Sequence, residues 1–118
     1  MKTIFVVDDS DTNLAMAEDA LEDHYNVMTM PSAAKMFALL EKITPDLILL
    51  DIEMPEMNGF DALKELKAGS SPDIPVFFLT GTTSAEIEEQ GSKLGAVGVV
   101  TKPFSADSLL ARIKPHIG

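Results

Sequence analysis

The sequence predicts an α/β domain built on a doubly wound sheet of five parallel strands. Three observations carry that expectation. Five short apolar runs alternate with five amphipathic stretches along the chain. The third and fourth runs, Leu47-Ile48-Leu49-Leu50 and Val76-Phe77-Phe78-Leu79, are apolar at every position, as in central strands covered by helices on both faces. Four of the runs end in residues able to do chemistry, Asp8-Asp9, Asp51, Thr80 and Lys102. Right-handed crossovers would bring those ends to one edge, where such sheets keep their ligand crevice. Strands are expected at about 3–8, 25–30, 46–51, 75–80 and 97–101, and helices at about 12–23, 33–43, 60–68, 84–94 and 106–116.

The first run, Ile4-Phe5-Val6-Val7, closes on Asp8-Asp9, and Asp11 or Thr12 can cap the helix that follows. The second alternates less cleanly and fits an edge strand, its Met28 and Met30 on one face reading as core filler or loop packing rather than ligands. Beyond Asp51, Pro55 fixes its own φ and lacks a donor, while Gly59 can take a positive φ just before the third helix. Ala68-Gly69-Ser70-Ser71-Pro72 reads as a surface loop. Thr83 and Glu86 have capping-box spacing at the start of the fourth helix. Gly91 inside that helix costs about 0.5–1 kcal/mol relative to Ala and marks it as the least rigid. Ser105 can cap the last helix.

The chain has 118 residues, 46% of them hydrophobic, which suits one domain with a single core. Without cysteine there is no disulfide framework, thiolate metal site or thiol nucleophile. A net charge of −10 argues against direct contact with nucleic acid or anionic lipid, which relies on clustered Lys and Arg. Neither a membrane span nor a secretory leader is found, because Asp8 interrupts the first apolar run, and a soluble cytoplasmic protein is the expectation. His24 and His116 read as surface residues, the latter near a helix C-terminus.

Asp8, Asp9 and Asp51 at one sheet edge would repel one another and resist ionising together unless a cation sat among them, and magnesium suits such oxygen donors. Asp51 stands alone at a central strand end, the natural nucleophile, whereas Asp8 and Asp9 share a strand end as direct and water-mediated ligands. The backbone carbonyl of Glu53 can supply another oxygen. Thr80 and Lys102 bring a hydroxyl and an ammonium, completing a site for a phosphoryl group. Singly, each residue has an ordinary reading as a turn residue, a cap or a surface lysine. Their joint placement on one edge is what points to chemistry.

Over essentially its whole length the chain resembles the receiver domains of two-component response regulators. The resemblance rests on Asp8-Asp9, on Asp51-Ile52-Glu53-Met54-Pro55-Glu56-Met57-Asn58-Gly59, on Thr80-Gly81 and on Lys102-Pro103-Phe104, in that order. It implies one receiver domain over residues 1–118, a flavodoxin-like fold with strand order 2-1-3-4-5, and a cis peptide at Lys102-Pro103. It implies that Asp51 accepts a phosphoryl group from a histidine kinase or phosphotransfer protein, with magnesium bound by Asp8 and Asp9 and with Lys102 and Thr80 contacting the phosphoryl oxygens. The domain would be regulatory rather than an enzyme, would self-phosphorylate and self-dephosphorylate with magnesium, and would act on a downstream effector as a monomer or a phosphorylation-dependent dimer.

The position three before Lys102, commonly Tyr or Phe in this family, is Val99. A swinging aromatic is absent there, so the switch that starts at Thr80 must run differently. Val99 and Gly91 together suggest that the fourth helix itself shifts or orders on phosphorylation. Glu53 could bind the metal, pair with Lys102 before activation, or repel the incoming anion.

Other readings are weaker. Asp9-Ser10-Asp11-Thr12-Asn13 is similar to the start of haloacid-dehalogenase-type phosphatases, but Asn13 replaces their usual Thr or Val and the chain is short for their core plus cap. A calcium loop fails at Leu14 and Ala20. A flavin site fails because acids follow the first strand where a phosphate-cradling loop is needed. A contact-only pseudo-receiver is the remaining alternative.

Overall fold

A computed structural model of the chain describes residues 1–69, 73–82 and 84–117. Strands β1 (Thr3–Val7), β2 (Asn26–Met30), β3 (Leu47–Asp51), β4 (Val76–Thr80) and β5 (Gly98–Thr101) alternate with helices α1 (Asp11–Leu21), α2 (Ala33–Leu40), α3 (Gly59–Ala68), α4 (Ala85–Leu94) and α5 (Ala106–Ile117). The strands form one parallel sheet in the order β2-β1-β3-β4-β5. Order, direction and the edge position of β2 are as the sequence leads one to expect.

Alternation along each strand divides the core. Phe5, Val7, Ile48, Leu50, Val76 and Phe78 face one way and pack against α2 and α3 through Met36, Leu63 and Leu66, with Ile87 and Leu94 of α4 beside them. Ile4, Val6, Leu47, Leu49, Phe77 and Leu79 face the other way, against Leu14, Ala17 and Leu21 of α1 and Leu109 and Ile113 of α5. Every residue of β3 and β4 is buried, which is why those runs carry no polar alternation.

Element ends differ in small ways that have local causes. Ser10, not Asp11 or Thr12, caps α1: its side chain accepts from the Asn13 N–H, and Asp11 is already helical. Ser84 caps α4 by accepting from the Ile87 N–H, while the expected cap Thr83 lies outside the described residues. Ser105 caps α5 as expected, accepting from the Ser108 N–H at 3.1 Å. α2 stops at Leu40, earlier than its periodicity suggests, because the Lys42 and Ile43 N–H groups both turn back to the Leu39 carbonyl ahead of Pro45. α3 ends at Ala68, so the expected loop begins at Gly69, and Ser70, Ser71 and Pro72 lie outside the described residues.

Two glycines have reasons that the sequence reading did not supply. Gly59 is not in the positive-φ region; among the described residues only Gly95 and Glu56 are. Gly59 is required by close approach, since a Cβ there would stand 2.5 Å from the Asp51 carbonyl oxygen and 2.9 Å from the Ile52 Cα. Gly91 lets α4 lie against the Phe78 ring, which a Cβ would meet at 3.1 Å.

Candidate phosphoryl and metal site

Parallel pairing brings the ends of β1, β3, β4 and β5 to one edge, and with them Asp8, Asp9, Asp51, Thr80 and Lys102. Asp8, Asp51 and Thr80 are the buried polar or charged residues of the described chain. Two of them are carboxylates, so each needs a partner to stay ionised. The Lys102 ammonium supplies it to both, 3.2 Å from Asp8 Oδ2 and 3.2 Å from Asp51 Oδ1. Backbone donors complete the set: the Ser10 N–H reaches Asp8 Oδ1 at 2.9 Å and the Glu53 N–H reaches Asp51 Oδ1 at 3.3 Å. Asp51 Oδ2 has no hydrogen-bond partner among the described residues.

These contacts set the protonation balance. Burial pushes the Asp51 carboxyl up, the neighbouring Asp8 charge adds to this, and Lys102 and the Glu53 N–H oppose it, leaving it at about 6. Burial alone would pull the Lys102 ammonium down, but its bonds to Asp51 and Asp8 outweigh that and hold it above the ordinary lysine range.

A cation fits this donor set. One carboxylate oxygen from each of Asp8, Asp9 and Asp51 lies within 4.8 Å of the others, with Asp9 exposed and the other two buried. Three hard oxygen donors facing one ammonium leave excess negative charge, the condition under which a divalent ion stabilises a carboxylate cluster.

Thr80 faces the other way. Its hydroxyl donates to the Thr82 carbonyl at 2.8 Å and accepts from the Thr82 N–H at 3.2 Å, with Glu53 Oε1 at 3.4 Å. Of the readings left open for the Glu53 side chain, pairing with Lys102 is not what is found: Glu53 lies beside Thr80, and Lys102 is occupied by the two aspartates. The Lys102-Pro103 bond is cis, and the Lys102 N–H bonds to the Thr80 carbonyl at 2.7 Å, which ties the ends of β4 and β5 together. Val99 is buried with the α2-α3 side of the core, and its carbonyl accepts from Arg112 Nη1 at 3.2 Å. The Arg112 guanidinium also lies 5.3 Å from the Phe77 ring centre. Arg112 escaped the sequence reading because nothing local marks it; only the packing of α5 on β4 and β5 brings it there. His116 is exposed, as expected, but its ring also meets Phe77 edge-on at 5.2 Å.

Comparison with known proteins agrees with this fold. The chemotaxis protein CheY4 of Vibrio cholerae superposes with a TM-score of 0.93 at 32% identity, covering 99% of each chain. The BeF3-activated DrrB receiver domain gives a TM-score of 0.89 at 29% identity, covering 99% of this chain and 97% of that one. Among curated sequences, a probable cyclic di-GMP phosphodiesterase of Vibrio cholerae is 39% identical over 98% of this chain but only 26% of its own length. The transcriptional regulatory protein TcrX of Mycobacterium tuberculosis is 32% identical over 95% of this chain and 48% of its own length. The chain thus spans from about a quarter to a half of the curated relatives it matches. The profile of the response regulator receiver domain matches residues 4–114, and the chain belongs to that family of two-component signalling domains.

Proposed function

We propose that this domain accepts a phosphoryl group on Asp51 from a histidine kinase or phosphotransfer protein, with magnesium held by Asp8, Asp9, Asp51 and the backbone carbonyl of Glu53. The observation that carries this reading is the arrangement at Lys102, one ammonium 3.2 Å from each of two buried carboxylates with a third carboxylate in reach. Bound magnesium would supply positive charge against the phosphoryl oxygens. The chain's own residues do the rest. Asp51 Oδ2 is the oxygen left free to form the new O–P bond as the donor's N–P bond breaks and its imidazole leaves. Lys102, already at Asp51, is positioned to take up the charge that spreads over the phosphoryl oxygens. The reaction leaves a modified domain rather than a released product, as suits a regulatory domain.

Readout starts at Thr80. To donate to a phosphoryl oxygen its hydroxyl must leave the Thr82 carbonyl, which loosens the segment leading into α4. With Val99 in place of an aromatic, a cavity of about 300 Å³ lies between α4, β5 and α5, lined by Gly91, Ala96, Val99 and Arg112 among others. That space allows α4 itself to move and so to change the surface offered to an effector.

Intact mass after incubation with acetyl phosphate tests the reading. One phosphoryl adduct that requires magnesium and is missing from Asp51→Asn is the expected result, with beryllofluoride plus magnesium shifting the amide resonances of residues 82–95. No adduct and no beryllofluoride response would favour a contact-only module, whereas sustained turnover of phosphate esters would favour a phosphatase.

A further inference from the structure

The outer edge of β2 and the groove beside it share no residue with the phosphoryl site, although Met30 adjoins it at Asp8. In the β1-β2 ladder, the Asn26 N–H bonds to the Lys2 carbonyl at 2.8 Å and the Asp8 N–H to the Met30 carbonyl at 3.2 Å. With the register Thr3↔Asn26 to Val7↔Met30, residues 26, 28 and 30 therefore face β1, and Val27 and Thr29 turn their backbone N–H and C=O groups outward. Among the described residues no strand pairs on that side. The strand, Asn-Val-Met-Thr-Met, carries no charge and no proline to blunt the edge. Beside it lies a groove of about 340 Å³ lined by Thr29, Met30, Pro31, Ala38 and Leu39 and flanked by Lys35 and Lys42.

Charge decides what fits. The chain has net charge −10, yet this groove has two lysines and no acid in its lining, and neither lysine has an ion-pair partner among the described residues. We infer that the β2 edge and its groove form a docking site for an extended acidic segment of a partner protein, which adds as a sixth strand. The partner's main chain would pair with Val27 and Thr29, an apolar side chain would enter between Met30 and Leu39, and flanking carboxylates would meet Lys35 and Lys42. A second copy of this chain fits poorly, because pairing two such edges sets the lysines of one copy against those of the other. The inference does not rest on the phosphoryl chemistry.

The probe is the heptapeptide Thr-Glu-Thr-Val-Thr-Glu-Thr, which places valine and both glutamates on one face, titrated to millimolar concentration into the isotope-labelled chain. Salt-sensitive shifts of the Val27 and Thr29 amides and of residues 31–42 are expected. They should be absent with the matching peptide carrying lysines, and Lys35→Glu combined with Lys42→Glu should weaken binding by about tenfold. An unchanged spectrum elsewhere shows that the double variant is folded, and its acetyl phosphate adduct should match wild type, which separates this inference from the reading of Asp51. No shifts at β2, equal shifts with both peptides, or self-association through these amides would overturn it; in the first case the lysines only guard an open edge.

Discussion

Asp51 is 2% exposed and faces a second buried carboxylate, and for those two reasons it holds its proton up to about pH 6. Its folded-state pKa lies above the 3.8 of a free carboxyl, so the folded chain binds that proton more tightly than the unfolded one. The resulting cost to stability is fully present above about pH 6 and disappears as the pH falls toward 3.8. Asp51→Asn removes it. In EDTA at pH 7.5 the variant should be more stable than wild type by roughly 1–3 kcal/mol, an advantage that shrinks as the pH falls through 6, measured by denaturant unfolding. Equal stabilities at pH 7.5 would mean that Asp51 is not strained by its surroundings. Glu53 places a carboxylate beside Thr80, where the proposed phosphoryl group would arrive. Glu53→Asn should raise the rate of phosphorylation by acetyl phosphate roughly two- to tenfold and alter the lifetime of the adduct; unchanged rates would leave the side chain without a direct role. Asp8, Asp51, Thr80 and Lys102 were legible because each ends an apolar run. The partner of Glu53 was not, since it depends on the path of the loop and on which side chain Lys102 reaches first.

The loop after β3 has to hold Asp51 in place, and it does so through backbone contact. The Gly59 N–H bonds to the Ile52 carbonyl at 2.8 Å, and the start of α3 presses against the Asp51 carbonyl with no room for a Cβ. Gly59→Ala should therefore cost about 2–4 kcal/mol and slow phosphorylation by displacing Asp51, although alanine is the better helix former. A stable, fully active Gly59→Ala variant would show that the loop yields freely. From the sequence, this glycine suggested backbone freedom, and Gly91 suggested flexibility. In the structure both lie in close packing, against β3 and against the Phe78 ring, which Phe60 meets edge-on at 5.1 Å. A single sequence shows that a side chain is missing but not what occupies its place. Caps shifted by one residue for a related reason: Ser10 and Asp11 can both accept a backbone N–H, and the path out of β1 chooses between them.

The whole molecule is a two-sided sheet whose strands are packed between apolar layers, with the candidate site at the strand ends. That division is why the fold was legible at all: central strands without polar alternation, and polar residues only where the runs stop, specify a doubly wound sheet and its functional edge together. The edge position of β2 was legible from its uneven alternation, but the groove beside it was not, because only the packing of α2 brings Lys35 and Lys42 there. The central claim is that Asp51 carries the phosphoryl group. Locating the adduct tests it most directly: after treatment with acetyl phosphate and magnesium, borohydride reduction converts an aspartyl phosphate to homoserine, which peptide mass mapping then places in the chain. Homoserine at position 51, dependent on both acetyl phosphate and magnesium, is the predicted result. Homoserine at Asp8 or Asp9, or a phosphoryl group retained on a histidine or serine, would contradict it.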